Sequence, residues 1–142
     1  MKSTKIKKNN TMIIYLDFDG TVVEHQYPII GKHNPGSFEV IKKLQDAGHE
    51  IVLNTYRVDI DSESFDEAMS YLNNSKVISP ITKHTTKKIQ PFEWDLVAYI
   101  NSQEIYIDDI CLNIPLIDAD ASIGKMVDWK EVDRLFLEFR IY

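Results

Sequence analysis

Two aspartates one residue apart, Asp17 and Asp19, stand at the end of a short apolar run, Met12-Ile13-Ile14-Tyr15-Leu16. The branched and aromatic residues of that run suit a buried strand. Packing alone does not explain a strand that delivers two carboxylates to its C-terminal end, because an unpaired buried charge is costly. In open parallel α/β sheets, ligands bind in the crevice beyond the C-terminal strand ends. An aspartate there can attack an electrophile, carry a proton or bind a cation. Gly20 follows and permits a sharp turn.

A second acid pair, Asp108-Asp109, ends another apolar run, Ile105-Tyr106-Ile107. Thr55 follows a third such run, and Lys87-Lys88 lies in the polar, basic stretch Thr82 to Gln90. Three or four carboxylates at one edge would repel one another, and some would hold protons. A divalent cation removes that objection. Hard oxygen donors suit Mg²⁺, which pairs carboxylates with substrate phosphate. A lysine and a hydroxyl on the same edge would complete a phosphate cradle.

The elements that must position these residues alternate along the chain. A first strand over 12–16 is followed by an irregular loop over 20–35, with Pro28, Gly31 and Pro35. A loop of that length in a small domain is usually functional, and it leaves the sheet beside the two acids. Asn34-Pro35 reads as an N-cap with proline in the first turn of a helix that ends at Gly48. A second strand over 49–53 precedes a helix capped by Asp61 or Ser62. Strands are expected over 76–79 and 104–107, and a short fifth over 114–117. A third helix opens at Pro91. Asp128-Trp129-Lys130-Glu131 has capping-box spacing for a last helix. Strand and helix alternate throughout, which implies βαβ units and a parallel sheet. The expected fold is therefore α/β, a Rossmann-like three-layer sandwich.

The 142 residues fit one domain, 1–142, with residues 1–10 as a solvated tail. A hydrophobic fraction of 44% with 27% charged residues is ordinary for a globular chain. A net charge of -6 argues against non-specific nucleic-acid binding. No run approaches the roughly 18 apolar residues of a membrane span. The single cysteine, Cys111, excludes an internal disulfide and is consistent with a reducing, cytoplasmic compartment.

Taken in order, these stretches resemble the four motifs of the haloacid dehalogenase (HAD) superfamily. Asp17-Phe18-Asp19-Gly20-Thr21-Val22 resembles the first and Leu53-Asn54-Thr55 the second. Lys88 before a helix resembles the third, with Lys87 and Lys83 as neighbouring candidates, and Ile107-Asp108-Asp109 the fourth. The resemblance implies a nucleophilic Asp17 that forms an aspartyl-phosphate. Asp19 would be the acid and then the base, Thr55 would bond a phosphoryl oxygen, and Lys88 would offset charge. Mg²⁺ would be held by Asp17, Asp109 and Asp108, with the carbonyl of Asp19. An acid at position 19 marks the phosphatase branch rather than the dehalogenases. A closer likeness, carried by Asp17 to Glu24, Tyr27-Pro28, Gly31, Pro35-Gly36, Ala47-Gly48-His49 and Asp128-Trp129, is to a small bacterial branch of the superfamily with no named substrate.

Neither gap between the early motifs can hold a large cap domain. Water exclusion must then come from loops or from a neighbouring subunit of a homo-oligomer. The acidic chain favours a small phosphate ester over a macromolecular substrate. Arg57 could touch the phosphate or leaving group, or pair at the surface with Asp59 or Asp61. His25 and Tyr27 sit in the loop beside the acids and could shape the entrance, and Lys87 could face substrate. The remaining histidines lack metal-ligand spacing. Cys111, Trp94 and Trp129 read as packing residues. The alternatives are a receiver-like signalling domain, whose paired acids would follow strand one and whose acceptor would follow strand three, and a non-catalytic phosphate-binding relative.

Overall fold

The two central strands, Ile13–Leu16 and Glu50–Asn54, are buried almost continuously, as a sheet covered by helices on both faces requires. Ile14, Leu16, Leu53, Ile105 and Ile107 are all fully buried on one set of positions. The computed structural model describes residues 11–87 and 93–142. Strand β1 (Ile13–Leu16) lies at the centre. Helix α1 (Ser37–Asp46) leads to β2 (Glu50–Asn54), and a short helix α2 (Arg57–Ile60) leads directly to α3 (Ser62–Asn73). Then come β3 (Lys83–Thr85), α4 (Leu96–Ser102) and β4 (Glu104–Ile107). A hairpin of β5 (Leu116–Asp118) and β6 (Lys125–Val127) precedes the last helix, α5 (Trp129–Glu138).

The main sheet has the order β3-β2-β1-β4 and is parallel throughout. Leu16 is level with Leu53 on one side and Ile107 on the other, so the segments that follow these strands leave from one edge. Right-handed crossovers place α1 and α3 on one face, and the return to β4 puts α4 on the other. The core is built from Val40, Ile41 and Leu44 of α1, Ala68 and Leu72 of α3, and Trp129, Val132 and Phe136 of α5. This is the expected Rossmann-like α/β architecture, without a large cap. No helix among the described residues is long and apolar enough to cross a membrane.

Several boundaries differ from the expectation, each for a physical reason. The third strand is Lys83–Thr85, not 76–79: Lys76 has a left-handed backbone (φ 62°) that interrupts an extended run. Lys83–Thr85 is an edge strand, where polar side chains are tolerated because solvent covers them. Asn34 does not cap α1. The capping position is Gly36, and the Asn34 amide instead donates to the carbonyls of Thr21 and Val127, both at 2.8 Å. Helix α4 starts at Leu96, where Asp95 accepts from the Val97 and Ala98 amides. The expected opening at Pro91 lies outside the described residues. The fifth strand starts two residues late and pairs antiparallel with β6, apart from the main sheet. The caps expected of Asp61 and Asp128 are formed, to the amides of Glu63 and Glu131.

Candidate active site

The ladder between β1 and β4 runs one residue past β1, because the Asp17 amide donates to the Ile107 carbonyl at 2.9 Å. Asp17 is thereby fixed beside Asp108. The chain then turns: the amides of Val22 and Val23 return to the Phe18 carbonyl, and the Gly20 amide donates to Val23. Gly20 has φ +82°, and a Cβ there would lie 2.5 Å from Asp109 Oδ2. Glycine is required both by the backbone and by the acid that packs against it.

Carboxylate oxygens of Asp17, Asp108 and Asp109 lie within 4.8 Å of one another. Burial, then the charges of Asp108 and Asp109, push the Asp17 carboxyl well above its ordinary value. Asp108 is pushed up to about 7, chiefly by burial and further by Asp109. Such a cluster of hard oxygen donors that repel one another fits a divalent cation of the Mg²⁺ type. Two bonds orient the group: Thr21 Oγ1 donates to Asp17 Oδ2 at 3.0 Å, and Asp108 Oδ1 accepts from the Ile110 amide at 3.1 Å.

Asp19 points into the same cavity and is gripped by a buried arginine. Arg57 is 1% exposed. Its Nε donates to Asp19 Oδ2 and its Nη2 to Asp19 Oδ1, both at 2.8 Å. Nη1 also donates to the carbonyls of Pro28 and Ser64, and Nη2 to that of Ile29. A surface pair of Arg57 with Asp59 or Asp61 is not formed. Helix α2 turns the side chain inward, where the fixed fork of guanidinium donors matches a carboxylate. Thr55 is buried at the end of β2, and its Oγ1 accepts from the Arg57 amide at 3.2 Å, which leaves the hydroxyl proton for another acceptor.

A cavity of about 350 Å³ opens over these groups. Asp17, Asp19, Thr55, Arg57, Asp108 and Asp109 line its floor, and His25 and Tyr27 of the 20–35 loop line one wall. That loop is anchored by Glu24, which is buried and accepts from the amides of Asp120 and Ala121, both at 2.8 Å. Lys87 is elsewhere. Its Nζ stands 4.7 Å over the Tyr15 ring, on a cavity shared with Lys83 and His84. Lys83 pairs with Glu50. Lys88 lies outside the described residues. Cys111 is buried and pushed up to about 12, first by burial and then by Asp108, so its thiol stays protonated. Trp94 and Trp129 are buried and donate to the carbonyls of Tyr106 and Thr21, both at 2.7 Å.

The sequence reading missed the Arg57–Asp19 pair, Thr21 and Glu24. The position of Arg57, two residues beyond a strand end that carries Thr55, was the available signal. Glu24 was visible as a lone acid directly after Val22-Val23.

No protein-family model matches this chain, and no curated protein is similar to it. A solved structure is similar: a conserved protein coded by a locus of Bacteroides thetaiotaomicron, 28% identical. The likeness covers 92% of this chain and 93% of the other, with a TM-score of 0.59. It extends over the whole α/β domain and carries no stated activity.

Proposed function

We propose that this chain is a Mg²⁺-dependent phosphatase of the haloacid dehalogenase type, which hydrolyses a small phosphomonoester through an aspartyl-phosphate on Asp17. The observation that carries this reading is the convergence of Asp17, Asp108 and Asp109 within 4.8 Å, in a cavity shared with Asp19 and Thr55. Asp17, Asp108 and Asp109 would hold the cation, with the Asp19 carbonyl as a further donor. When bound, Mg²⁺ offsets the negative charge that carboxylates and phosphate bring together.

The chain's own residues supply the rest. Thr21 orients the Asp17 carboxylate through Oδ2, and the other oxygen is assigned as the nucleophile. That oxygen forms a bond to phosphorus as the ester O–P bond breaks, and the departing alkoxide takes the proton that Asp19 carries into the cycle on a lone pair outside the Arg57 fork. Asp19 then accepts a proton from water, whose oxygen attacks phosphorus. The Asp17–phosphorus bond breaks, phosphate leaves, and both acids return to their starting state. The Arg57 fork uses one lone pair on each Asp19 oxygen, and a carboxylate has about four such sites, so the clamp orients Asp19 without filling it. Thr55 can donate its hydroxyl proton to a phosphoryl oxygen. Lys88 is assigned the charge-offsetting role on its sequence position alone.

The cavity volume and the net charge of -6 support a small ester rather than a nucleic acid. A cytoplasmic location belongs to the same proposal. The purified protein is expected to release phosphate from 4-nitrophenyl phosphate with Mg²⁺ and to stop in EDTA. Asp17→Asn should lower the rate by about 10³-fold or more. A rate that survives this change removes Asp17 as nucleophile. Phosphate binding without any release would favour the non-catalytic or receiver-like alternatives.

A further inference from the structure

The walls of the cavity differ in chemistry from its floor. Tyr56 and Ile60 of the α2 turn and Ile110 beyond β4 all line it, and they are 51%, 65% and 40% exposed. Tyr27 faces them from the 20–35 loop. Three large apolar side chains left in solvent around one opening need an explanation, because scattered exposure does not place them together.

Arg57 is the only lysine or arginine on the cavity among the described residues, and a guanidinium has five N–H donors. All five are committed: two to Asp19, and one each to the carbonyls of Pro28, Ile29 and Ser64. None remains for a second anionic group on a substrate. Such a group would instead meet the acidic floor, and among the described lining residues His25 is the one other side chain that can carry positive charge.

We infer that the ester hydrolysed here carries an uncharged, apolar and compact leaving group, and that Tyr56, Ile60 and Ile110 select it. The inference rests on the phosphatase reading and goes beyond it to the substrate class. A cavity of about 350 Å³ stands near the lower end of the roughly 300–1,000 Å³ typical of small-molecule sites. With phosphate and cation seated on the floor, the remaining space suits one ring or a short branched chain. Sugar phosphates would place hydroxyls against Ile60 and Ile110, and bisphosphates, phosphorylated acids and nucleotides would bring a second negative charge to a cavity whose one described arginine has no free donor.

Three alkyl esters separate this from leaving-group reactivity, since each releases an alkoxide: benzyl phosphate, glycerol 3-phosphate and 3-phosphoglycerate. The full-length protein with Mg²⁺ is expected to show kcat/KM for benzyl phosphate at least about tenfold above either polar ester, the range that apolar pockets discriminate. Ile60→Lys, at a position 65% exposed and so tolerant of the change, should cut the ratio of benzyl phosphate to 3-phosphoglycerate at least about tenfold. A wild-type ratio near one, or a ratio unmoved by Ile60→Lys, overturns the inference. Benzylphosphonate and phosphonoacetate, which cannot be hydrolysed, keep the two readings distinguishable. If no ester is turned over but benzylphosphonate raises Tm with Mg²⁺ and phosphonoacetate does not, the phosphatase reading fails and the selectivity stands. If neither binds, or both bind equally, the selectivity fails. A concentration-dependent dimer that Ile60→Lys dissociates, with no change in ester ratio, assigns the rim to self-association and also overturns it.

Discussion

Arg57 is the residue whose loss this site tolerates least. It is buried, and its five donors satisfy Asp19 and three carbonyls, two in the 20–35 loop and one in α3. Removing one partner of a buried ion pair typically costs about 3–5 kcal/mol, because the other charge is stranded. Arg57→Gln is expected to fall in that range by urea denaturation, and Arg57→Lys should recover little, since an ammonium cannot reproduce the fork. The acids have the opposite character. Asp17 and Asp108 titrate above the ordinary 3.8 in the folded chain, Asp108 at about 7. Between those values the folded state holds more protons than the unfolded one. The metal-free protein should therefore lose stability as pH rises from about 4 to about 7. Added Mg²⁺ should raise Tm more at pH 8 than at pH 5, where protons compete for the same oxygens. Calorimetry in EDTA and in Mg²⁺ at the two pH values checks both statements, and a Tm insensitive to Mg²⁺ at pH 8 counts against the cation site.

Elements show where local pattern was a sufficient guide. The acids at 17, 19, 108 and 109 were legible because β1 and β4 have strong apolar runs and end abruptly in carboxylates. The caps at Asp61 and Asp128 were legible because one side chain and one amide decide them. Strand β3 was not, since its residues Lys83-His84-Thr85 owe their extended form to pairing with Val52–Asn54 rather than to their own preference. Arg57 was misread for a related reason: α2 is a single turn whose direction depends on what α3 and the 20–35 loop offer it. Two elements also carry tests. Gly20→Ala forces a Cβ toward Asp109 in a backbone region that costs an ordinary residue about 1–2 kcal/mol. It should weaken Mg²⁺ dependence as well as Tm, whereas a Tm loss with unchanged Mg²⁺ affinity would separate the turn from the acid. Glu24 joins the loop to the 119–124 turn. Burial alone would raise its carboxyl, but the amides of Asp120 and Ala121 outweigh this and leave it below the ordinary 4.5. Its tie is thus complete above that value and is lost as pH falls through its lower folded value. Glu24→Ala should abolish this acid-side loss and make the 20–35 amides exchange faster in deuterium at pH 7.

At the scale of the whole molecule, the site sits at the C-terminal edge of the sheet, and the opposite edge is closed by one imidazole. The Met12 amide donates to His49 Nδ1 at 3.0 Å. An amide can only donate, so Nδ1 is unprotonated and Nε2 carries the hydrogen, which goes to the Ile141 carbonyl at 2.6 Å. His49→Ala would leave both partners buried and unsatisfied, a loss of about 1–3 kcal/mol for each such group. It should lower the urea midpoint while leaving Mg²⁺ affinity intact. The same ring also provides a spectroscopic reporter. A buried, bonded Nε2 hydrogen exchanges with solvent only when residues 12, 49 and 141 separate, and it resonates downfield of the amides. Its lifetime in nitrogen-15 spectra would therefore time the release of residues 141–142 from this edge, while a Mg²⁺ titration at the far edge leaves its position unmoved.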